Sequence, residues 1–325
     1  MAKIELIIAN KRTGQIFEVS KSVISSEWTT NRTGAAGCFK FTIVKTPTLD
    51  FVEGDTVRFS VDGALQFFGW VFAKAKDRWG VIEVTCYDRL YYCLKANASY
   101  AFYGLDAADI ITQIAEDLQI DVSRLTRTGY ALPSLVEQDQ SCLDIIEKSL
   151  QLTLLNTGKI YVLYDDGNGL TLNTPADMFS GVVLGDNSLV TDYNYKTDID
   201  TQTYNYIKLS HPNEATGRSD VYIAEDSANI ARWGKLQLYQ TVDGDMNAAQ
   251  LKAQAKSMLE YYNRRWKSLS FSALGVPSLR AGQLIYMRIK ELGDIDLDQY
   301  LMIDKITHTW KNDLHTMEIE TYGLQ

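Results

Sequence analysis

Residues 55–75 read DTVRFSVDGALQFFGWVFAKA, and the pattern of this stretch indicates the fold class of the chain. Apolar and polar residues alternate on both sides of Asp62 and Gly63, as they do in strands that bury one face. An Asp-Gly pair supplies the positive backbone φ that a type I′ turn requires. We therefore predict that residues 56–61 and 64–75 form two paired strands.

Similar short segments fill the chain from Lys3 to about Tyr100. Turn residues separate these segments, which read KIELIIA, QIFEVS, SSEWTT, GCFKFTIVK and GVIEVTCYD. Six or seven strands within about 100 residues are typical of a barrel or a sandwich. The sequence therefore predicts an N-terminal β-barrel-like domain over residues 1–103.

Helical signals begin near Asp106. The segment DAADIITQIAEDLQI places its apolar residues on one helical face behind an Asp cap. A second helix is predicted from Ser141, with Asp144 three positions later as its capping partner, and Gly158 ends it. Two short strands follow in KIYVLYDDGNGLTL. Together these signals predict a small α+β domain over residues 104–178.

Strand patterns return in the last part of the chain, in VTDYNYK, YNYIKLSH, SLSFSALG, GQLIYMRIK, YLMIDKITHTW and HTMEIETYG. One long helix interrupts them at about residues 247–264, and its apolar stripe is expected to pack on a sheet. These patterns predict a second β-barrel-like domain over residues 179–325. The predicted fold class is mainly β with an α+β insertion, in which two β-barrel-like, tube-type domains flank a small α+β domain.

Composition excludes several classes of function. The chain has 325 residues, of which 46% are apolar, and a formal net charge of -9. Tight binding to nucleic acid requires clustered cations, so we expect no sequence-specific nucleic-acid partner. The nearest cationic cluster is Arg264, Arg265 and Lys267, which we interpret as complementing the C-terminus of the predicted helix.

Two further features of the sequence indicate the cellular compartment of the protein. The apolar stretch in MAKIELIIANKRTG is too short for a signal peptide or a membrane span, so we expect a protein made and kept in a cytoplasm. The cysteines lack a C-x-x-C pair and lie in apolar segments, which predicts buried, reduced thiols at Cys38, Cys86, Cys93 and Cys142.

The three histidines are the first candidates for chemistry. They are His211, His308 and His315. A turn at KND in THTWKNDLHTMEIE would bring His308 and His315 close together across a hairpin. A metal site needs a third ligand, and only Asp313 lies nearby. We therefore favour histidines on the surface or at an interface over a metal site.

An acidic loop, GDIDLDQY, places Asp294, Asp296 and Asp298 at alternate positions, as in the first half of a calcium loop. Position six is Gln299 rather than Gly, and position twelve is Lys305 rather than Glu. We interpret this segment as a solvated acidic loop.

The motifs of the familiar enzyme classes are missing from the printed sequence. Gly34 and Gly37 in NRTGAAG lack the strand-to-helix context of a phosphate-binding loop, so we interpret them as ordinary loop residues. No nucleophile elbow, P-loop, zinc-protease motif or dinucleotide fingerprint is present. We expect no enzymatic activity and no catalytic, cofactor-binding or metal-binding residues. A cell-wall hydrolase built on two carboxylates stays open as an alternative.

Several segments together resemble a known family. They are WGKLQLYQTVD, the helix NAAQLKAQAKSMLEYYNR, SLSFSALGVPSLRAGQLIYMRI and YLMIDKITHTWKNDLHTMEIETYG, in that order. This pattern resembles the baseplate hub protein of contractile phage tails and phage-tail-like bacteriocins, the late control protein D group with its prophage-element relatives. GDTVRFSVDGALQFFGWV and TGKIYVLYDDGNGLTL fit the same family less specifically.

The resemblance implies a non-enzymatic structural role. Three copies would form a homotrimer whose two barrel-like domains per subunit make a pseudo-hexameric ring, a symmetry adaptor between a sixfold tail tube and a threefold spike. The implied partners are a tail tube or tube-initiator protein, the central spike protein, the tape measure protein and other baseplate proteins. The implied location is the tail baseplate, after assembly in the cytoplasm of a bacterial host.

The resemblance leaves alternatives open. The particle could be a genome-carrying phage or a headless R-type bacteriocin (tailocin). The chain could also be a tail-associated peptidoglycan hydrolase, or a cell-wall or receptor-binding module with exposed Trp and Tyr on a concave face.

Overall fold

The computed structural model describes residues 3–185, 188–213, 218–242, 246–292 and 295–322. The alternating segments of the first part form seven strands, and their inward residues are apolar, as at Phe39, Phe41 and Ile43. A one-turn 3-10 helix, Ser20–Ser22, precedes the third strand. The strands are β1 Ile4–Ala9, β2 Ile16–Glu18, β3 Val23–Asn31, β4 Cys38–Val44, β5 Thr56–Val61, β6 Ala64–Lys76 and β7 Val81–Tyr87.

The hairpin predicted around Asp62 and Gly63 is confirmed. Strands β5 and β6 pair antiparallel, with Val61 opposite Ala64, so the loop has two residues. Both loop residues have positive φ, 49° at Asp62 and 80° at Gly63, as a type I′ turn requires.

The middle part combines helices with strands, as predicted. Asp106 caps one helix by accepting the Ala108 N–H at 2.8 Å, Ser141 caps the next, and Gly158 ends it with a φ of 70°. The elements are α1 Leu90–Lys95, β8 Asn97–Asp106, α2 Ala107–Asp117, β9 Val122–Leu125, β10 Ala131–Ser141, α3 Cys142–Thr157, β11 Val162–Asp165 and β12 Leu170–Asn173. The sequence pattern missed α1, because six residues are too few to establish a helical period.

The last part returns to strands. Its elements are β13 Val183–Gly185, β14 Val190–Asp198, β15 Tyr206–Asn213, β16 Arg218–Glu225, α4 Ser227–Trp233, β17 Gln237–Thr241, α5 Ala248–Tyr262, β18 Trp266–Leu274, β19 Leu284–Leu292, β20 Ile295–Lys311 and β21 Leu314–Tyr322. Helix α5 is the long helix predicted from the sequence, and Asn247 and Gln250 form a capping box at its start. No helix in the described ranges is long and apolar enough to cross a membrane.

One large sheet joins the two ends of the chain. It has 13 strands, and its main path runs β14-β18-β21-β20-β3-β4-β7-β6-β5-β1-β2. Strand β20 pairs antiparallel with β3 over seven residue pairs, from Lys305 opposite Asn31 to Lys311 opposite Ser25. We call this β3–β20 pairing the seam. The predicted class, mainly β with an α+β insertion, is confirmed, although the described strands follow an open path and not two closed barrels.

Buried residues form four clusters. The first lobe is built from β1–β7 around Phe39 and Phe59, and the last lobe from β13, β14 and β18–β21 around Phe271 and Ile303. The middle unit, residues 90–173, has its own core around α2 and α3. Each cluster follows from strands or helices that bury one apolar face.

The fourth cluster confirms that the apolar stripe of the long helix packs on a sheet, but the separation of this sheet from the large one was not expected from the sequence. Helix α5 packs through Leu251 and Met258 on Ile207 and Leu209 of a separate three-stranded sheet, β16-β15-β17. We call β15–β17 with α5 the side unit. The boundaries 1–103, 104–178 and 179–325 remain a prediction.

Candidate functional site

His308 and His315 meet beside the seam, as the hairpin prediction required. The Nδ1 atom of His308 lies 2.9 Å from Nε2 of His315, and its Nε2 lies 2.9 Å from the carbonyl oxygen of Leu279. A carbonyl oxygen only accepts, so Nε2 of His308 donates to it and Nδ1 accepts from His315. The two-residue turn between β20 and β21, at Asn312 and Asp313, has positive φ at both residues.

Aromatic rings surround the histidine pair. His308 stacks between Trp28 and Trp310, with ring centroids 5.4 Å and 5.5 Å away, and His315 stacks on Trp310 at 4.3 Å. Trp310 in turn contacts the edge of Phe59 in the first lobe. Of the two predicted environments for His308, the surface is wrong, because its side chain is fully buried; the residue lies on a strand pair at the interface of the two lobes.

Burial sets the protonation of this pair. It lowers the pKa of His308 to about 3 and that of His315 to about 4, because the charged imidazolium loses its hydration. Both rings are therefore neutral near pH 7. Both ring nitrogens of His308 already have partners, so the pair stabilises the seam and is not arranged as a general base. The described residues include no group of three or more His, Cys, Asp or Glu side chains that could hold a metal ion.

The other residues singled out from the sequence lie apart from this pair. Asp298 accepts hydrogen bonds from Tyr286 at 2.8 Å and from Nε of Arg288 at 2.9 Å. Asp294 and the side chain of Asp296 lie outside the described residues, so the solvated acidic loop remains a prediction. His211 lies in β15 opposite Asp220.

The cationic residues after α5 do not have the role that we predicted for them at the C-terminus of the helix. Helix α5 ends at Tyr262, and the guanidinium of Arg264 lies 4.2 Å from the ring centroid of Trp266 and 5.0 Å from that of Tyr261. Arg264 therefore stacks on aromatic rings instead of covering the end of the helix. Arg265 is exposed and Lys267 is half-buried on β18.

The thiols fit their prediction. Cys86, Cys93 and Cys142 are buried, Cys38 is half-buried, and all four are free cysteines. Burial raises the pKa of Cys38 to about 11 and that of Cys93 to about 12, so neither thiol is a nucleophile near pH 7.

The loop glycines bind carboxylates of the chain itself. The N–H of Gly34 donates to Glu147, and the N–H of Gly37 donates to Oδ2 of Asp88 at 2.9 Å. These amides cannot also cradle a phosphate, so the interpretation of the segment as an ordinary loop is confirmed.

A buried junction of charges joins three parts of the chain, and no sequence pattern predicted it. Arg89, which follows β7, donates to both carboxylate oxygens of Asp165 at 3.0 and 3.1 Å. Arg280, between β18 and β19, donates to the backbone oxygen of Asp165 at 3.1 Å. Burial and the neighbouring charge of Asp165 raise the pKa of Asp88 to about 8. The junction fixes the first lobe, the middle unit and the last lobe to one another.

An open cleft of about 730 Å³ lies between the middle unit, the side unit and the last lobe. Its walls come from α3, α5, β18, the middle of β20 and the end of β21. Arg32 crosses one wall, where it pairs with Asp304 at 2.7 Å and lies 4.0 Å from the ring centroid of Tyr322. The size is typical of a ligand site.

The cleft contains the acidic residues that a hydrolase would need. Asp144 and Glu147 of α3 both line it. Asp144 accepts the Ser141 hydroxyl at 2.6 Å within the helix cap, and Glu147 accepts the Gly34 amide. Burial raises the pKa of Glu147. Both carboxylates thus have structural partners.

Comparison with known proteins places the chain in a family. The YQBQ-like family model matches residues 26–322. The chain belongs to the YQBQ-like family. Two curated relatives come from Bacillus subtilis (strain 168): the uncharacterized protein YqbQ is 35% identical and the phage-like element PBSX protein XkdQ is 34% identical, and each match covers 82% of this chain and 81% of the relative.

Solved structures share the fold of this YQBQ-like chain. The 43 kDa tail protein of prophage MuSo2 from Shewanella oneidensis matches with a TM-score of 0.71 and 13% identity, covering 98% of both chains. A tail protein from Neisseria meningitidis MC58 matches with a TM-score of 0.70 and 13% identity, covering 98% of this chain and 96% of that one. The E. coli c3393 protein, a component of the type VI secretion system, matches with a TM-score of 0.56 and 12% identity over 94% of this chain and 74% of that one. The predicted resemblance to phage-tail and prophage-element proteins is confirmed.

Proposed function

We propose that this YQBQ-like chain is the structural hub protein of a contractile tail baseplate. In the proposed assembly three copies form a closed ring that adapts a sixfold tail tube to a threefold spike. The observation that carries the proposal is the seam, which joins a β-rich lobe from each end of the chain into one sheet. Three copies with two lobes each present six lobes to the tube and three identical faces to the spike.

The contacts at the seam support a fixed spacing of the two lobes. Besides seven residue pairs, the hydroxyls of Thr29 and Thr307 lie 3.0 Å apart, and His308 stacks between Trp28 of one lobe and Trp310. Aromatic rings that pack across two hydrogen-bonded strands make the pairing of those strands resist bending. A ring of such units has six lobes in fixed positions, as contact with a sixfold tube requires.

The relatives support a tail role. One of them is named as a protein of the phage-like element PBSX, and two folds that agree along nearly the whole chain are those of tail proteins. We therefore propose as partners the tail tube or tube-initiator protein, the central spike, the tape measure protein and other baseplate proteins. In this proposal the chain assembles in the host cytoplasm, resides in the baseplate and has no enzymatic activity. The division into domains 1–103, 104–178 and 179–325 is part of the proposal.

Electron cryo-microscopy of the purified particle tests the proposal. We expect one ring of three copies between the tube and the spike, with six similar lobes around the central channel. Native mass spectrometry of the dissociated baseplate should give a multiple of three copies. A single copy per particle, or density for the chain outside the baseplate, would contradict the hub role.

Peptidoglycan hydrolysis is a second candidate, because the half-buried Glu147 has a raised pKa and faces an open cleft beside Asp144. A cell-wall zymogram separates the two functions. The structural role predicts no clearing by the wild-type chain. Clearing that disappears in Glu147→Gln, and persists in the matched surface variant Glu116→Gln, would establish the hydrolase instead.

A further inference from the structure

The first and last lobes share one strand order. Neighbouring strands run β3-β4-β7-β6-β5 in the first lobe and β14-β18-β21-β20-β19 in the last lobe. Every neighbouring pair in both series is antiparallel. The next strands differ, because β1 pairs antiparallel with β5 whereas β13 pairs parallel with β19. Five strands of one lobe therefore correspond, one by one, to five strands of the other.

Irregularities of these strands lie at corresponding positions. The pairing of β6 with β7 skips one residue, Phe72, and the pairing of β20 with β21 skips Asp304. The pairing of β3 with β4 skips Ile24, and the pairing of β14 with β18 skips Thr191. A β-bulge is a specific local feature, so matched bulges align the two lobes residue by residue. Phe72 thus corresponds to Asp304, and Ile24 to Thr191.

The turn before β5 also matches the turn before β19. Gly54 and Gly282 both have a φ of 89°. The N–H of Gly54 donates to the carbonyl oxygen of Val71 at 2.8 Å, and that of Gly282 donates to Ile303 at 2.8 Å. Val71 and Ile303 each directly precede the skipped residue of their strand. These hydrogen bonds give the same alignment as the bulges, so the lobes are two copies of one fold within the chain.

The seam uses one strand edge of each lobe, and the corresponding edges are unpaired. In the seam, β3 pairs with residues 305–311, the part of β20 that follows its bulge. The corresponding edges are β14 and residues 73–76, the part of β6 that follows its bulge. Within the described part of the chain, β14 pairs with β18 alone and residues 73–76 pair with β7 alone. Residues 73–76 and most of β14 are exposed, so both edges are open to a further strand.

We propose that these two edges join neighbouring copies of the chain, with β14 of one copy pairing antiparallel with residues 73–76 of the next. We call this contact the second seam. Because it repeats the seam, it places each lobe against the next in the same way all around the assembly. A head-to-tail contact of this kind generates a closed ring when its rotation closes. The inference rests on the proposed hub role, in which three copies with two lobes each form that ring.

The matched bulges carry the register of the seam over to the second seam. They give four opposite residue pairs between copies, which are Ala73 with Asp198, Lys74 with Thr197, Ala75 with Lys196 and Lys76 with Tyr195. No pair brings like charges together, which is the arrangement that opposed strands disfavour. Lys76 lies beside the ring of Tyr195, where its ammonium group makes a favourable cation–π contact.

Exposed aromatic rings lie at one end of these pairs on both edges. Trp79, in the turn that follows β6, is 74% exposed, and Tyr193 of β14 is 44% exposed. In antiparallel strands both residues lie beyond the pair of Lys76 with Tyr195. Large aromatic side chains contribute strongly to protein interfaces when they are buried there. The second seam thus covers two apolar surfaces that a single copy leaves in water.

The second seam is weaker than the seam. His308 and Trp28 are buried against each other in the seam, whereas the corresponding residues of the second seam are Lys76 and Tyr195. Less apolar area is buried by a lysine and a tyrosine at an edge, so the contact stabilises association less. The second seam therefore forms in the assembled ring, where neighbouring copies are held side by side.

A disulfide between copies tests the predicted register. Ala75 and Lys196 correspond to Thr307 and Thr29, whose hydroxyls lie 3.0 Å apart in the seam. Directly opposite residues of antiparallel strands have Cα atoms about 4.5–5.5 Å apart, which a disulfide can span. In oxidised particles of the double variant Ala75→Cys, Lys196→Cys, we expect covalent trimers on a non-reducing gel. Reduction should return them to monomers.

The double variant Lys76→Cys, Lys196→Cys is the matched control. Successive side chains of a strand point to opposite faces, so positions 76 and 196 lie on opposite faces of the joined sheet. We expect no covalent trimer from this control or from either single variant. Oxidised particles of Ala75→Cys, Lys196→Cys without the trimer, or equal amounts of trimer in the control, overturn the proposal.

Electron cryo-microscopy of the wild-type particle tests the second seam without any substitution. We expect β14 of each copy within hydrogen-bond distance of residues 73–76 of its neighbour. Three copies in the baseplate whose β14 edges contact no β6 edge would overturn the second seam alone. A chain outside the baseplate would overturn the hub role itself.

Discussion

His308 lies where the first and last lobes meet, and its protonation couples the stability of the seam to pH. Its pKa falls from an ordinary value of 6.5 to about 3 in the folded chain, so between these values only the unfolded chain binds the proton. Stability is therefore complete above about pH 6.5 and falls as the pH drops toward 3. At pH 5 we expect a loss of about 2 kcal/mol from this residue.

Urea unfolding at pH 7 and pH 5 measures this loss. In His308→Gln the difference in unfolding free energy between the two pH values should shrink by about 2 kcal/mol, because Gln does not titrate. An unchanged difference in His308→Gln would show that the buried imidazole is not the group responsible.

Asp165 is the residue on which the buried junction depends. Its carboxylate is buried and holds Arg89, whereas Asp121, the other carboxylate near Arg89, is 76% exposed and 3.4 Å away. Asp165→Asn leaves the buried guanidinium of Arg89 with the exposed Asp121 as its remaining ion-pair partner, so we expect a loss of about 3–5 kcal/mol. Asp121→Asn should cost less than about 1 kcal/mol. Chemical denaturation of the two variants checks the difference, and equal losses would show that the junction is not organised around Asp165.

At the scale of elements, the predictions that succeeded rested on local signals. Three features depend on a few neighbouring residues and form where they were expected. They are the Asp62-Gly63 turn and the helix caps at Asp106 and Ser141. The open order of the large sheet and the side unit depend on pairings between residues far apart in sequence. Alternation shows that β3 and β20 are strands but not that they are partners.

The same contrast between local signals and long-range contacts applies to the candidate site. Proximity of His308 and His315 followed from a two-residue turn, but burial of His308 depends on Trp28, 280 residues earlier in the chain. The cleft could not be predicted, because its walls come from α3, α5 and β18, which meet only in the folded chain.

The seam is the element whose stability can be tested most directly. Trp28 of β3 is buried against His308, whereas Trp79 in the β6–β7 turn is 74% exposed. We expect Trp28→Ala to cost about 3–5 kcal/mol, because it leaves a cavity where the lobes join. Trp79→Ala should change stability by no more than about 0.5 kcal/mol. Guanidinium unfolding compares the stability of the two variants. A small loss of stability in Trp28→Ala would mean that the β3–β20 hydrogen bonds hold the lobes together without a contribution from the stacked rings.

At the scale of the whole molecule, the net charge determines the affinity of the chain for nucleic acid. The net charge is -9, and cations that line the cleft, such as Arg32 and Lys148, are paired with carboxylates. Affinity for a phosphate backbone comes largely from the release of counter-ions by unpaired Lys and Arg, which a chain of this charge supplies poorly. If the proposed ring forms, its negative net charge would repel DNA, and a genome would pass through the ring without adhering. We therefore expect no retardation of double-stranded DNA in a gel at about 50 mM salt, under conditions in which a basic DNA-binding protein of similar mass retards it. Retardation that weakens steeply as salt rises would reveal a clustered cationic surface and would contradict a channel through which DNA slides freely.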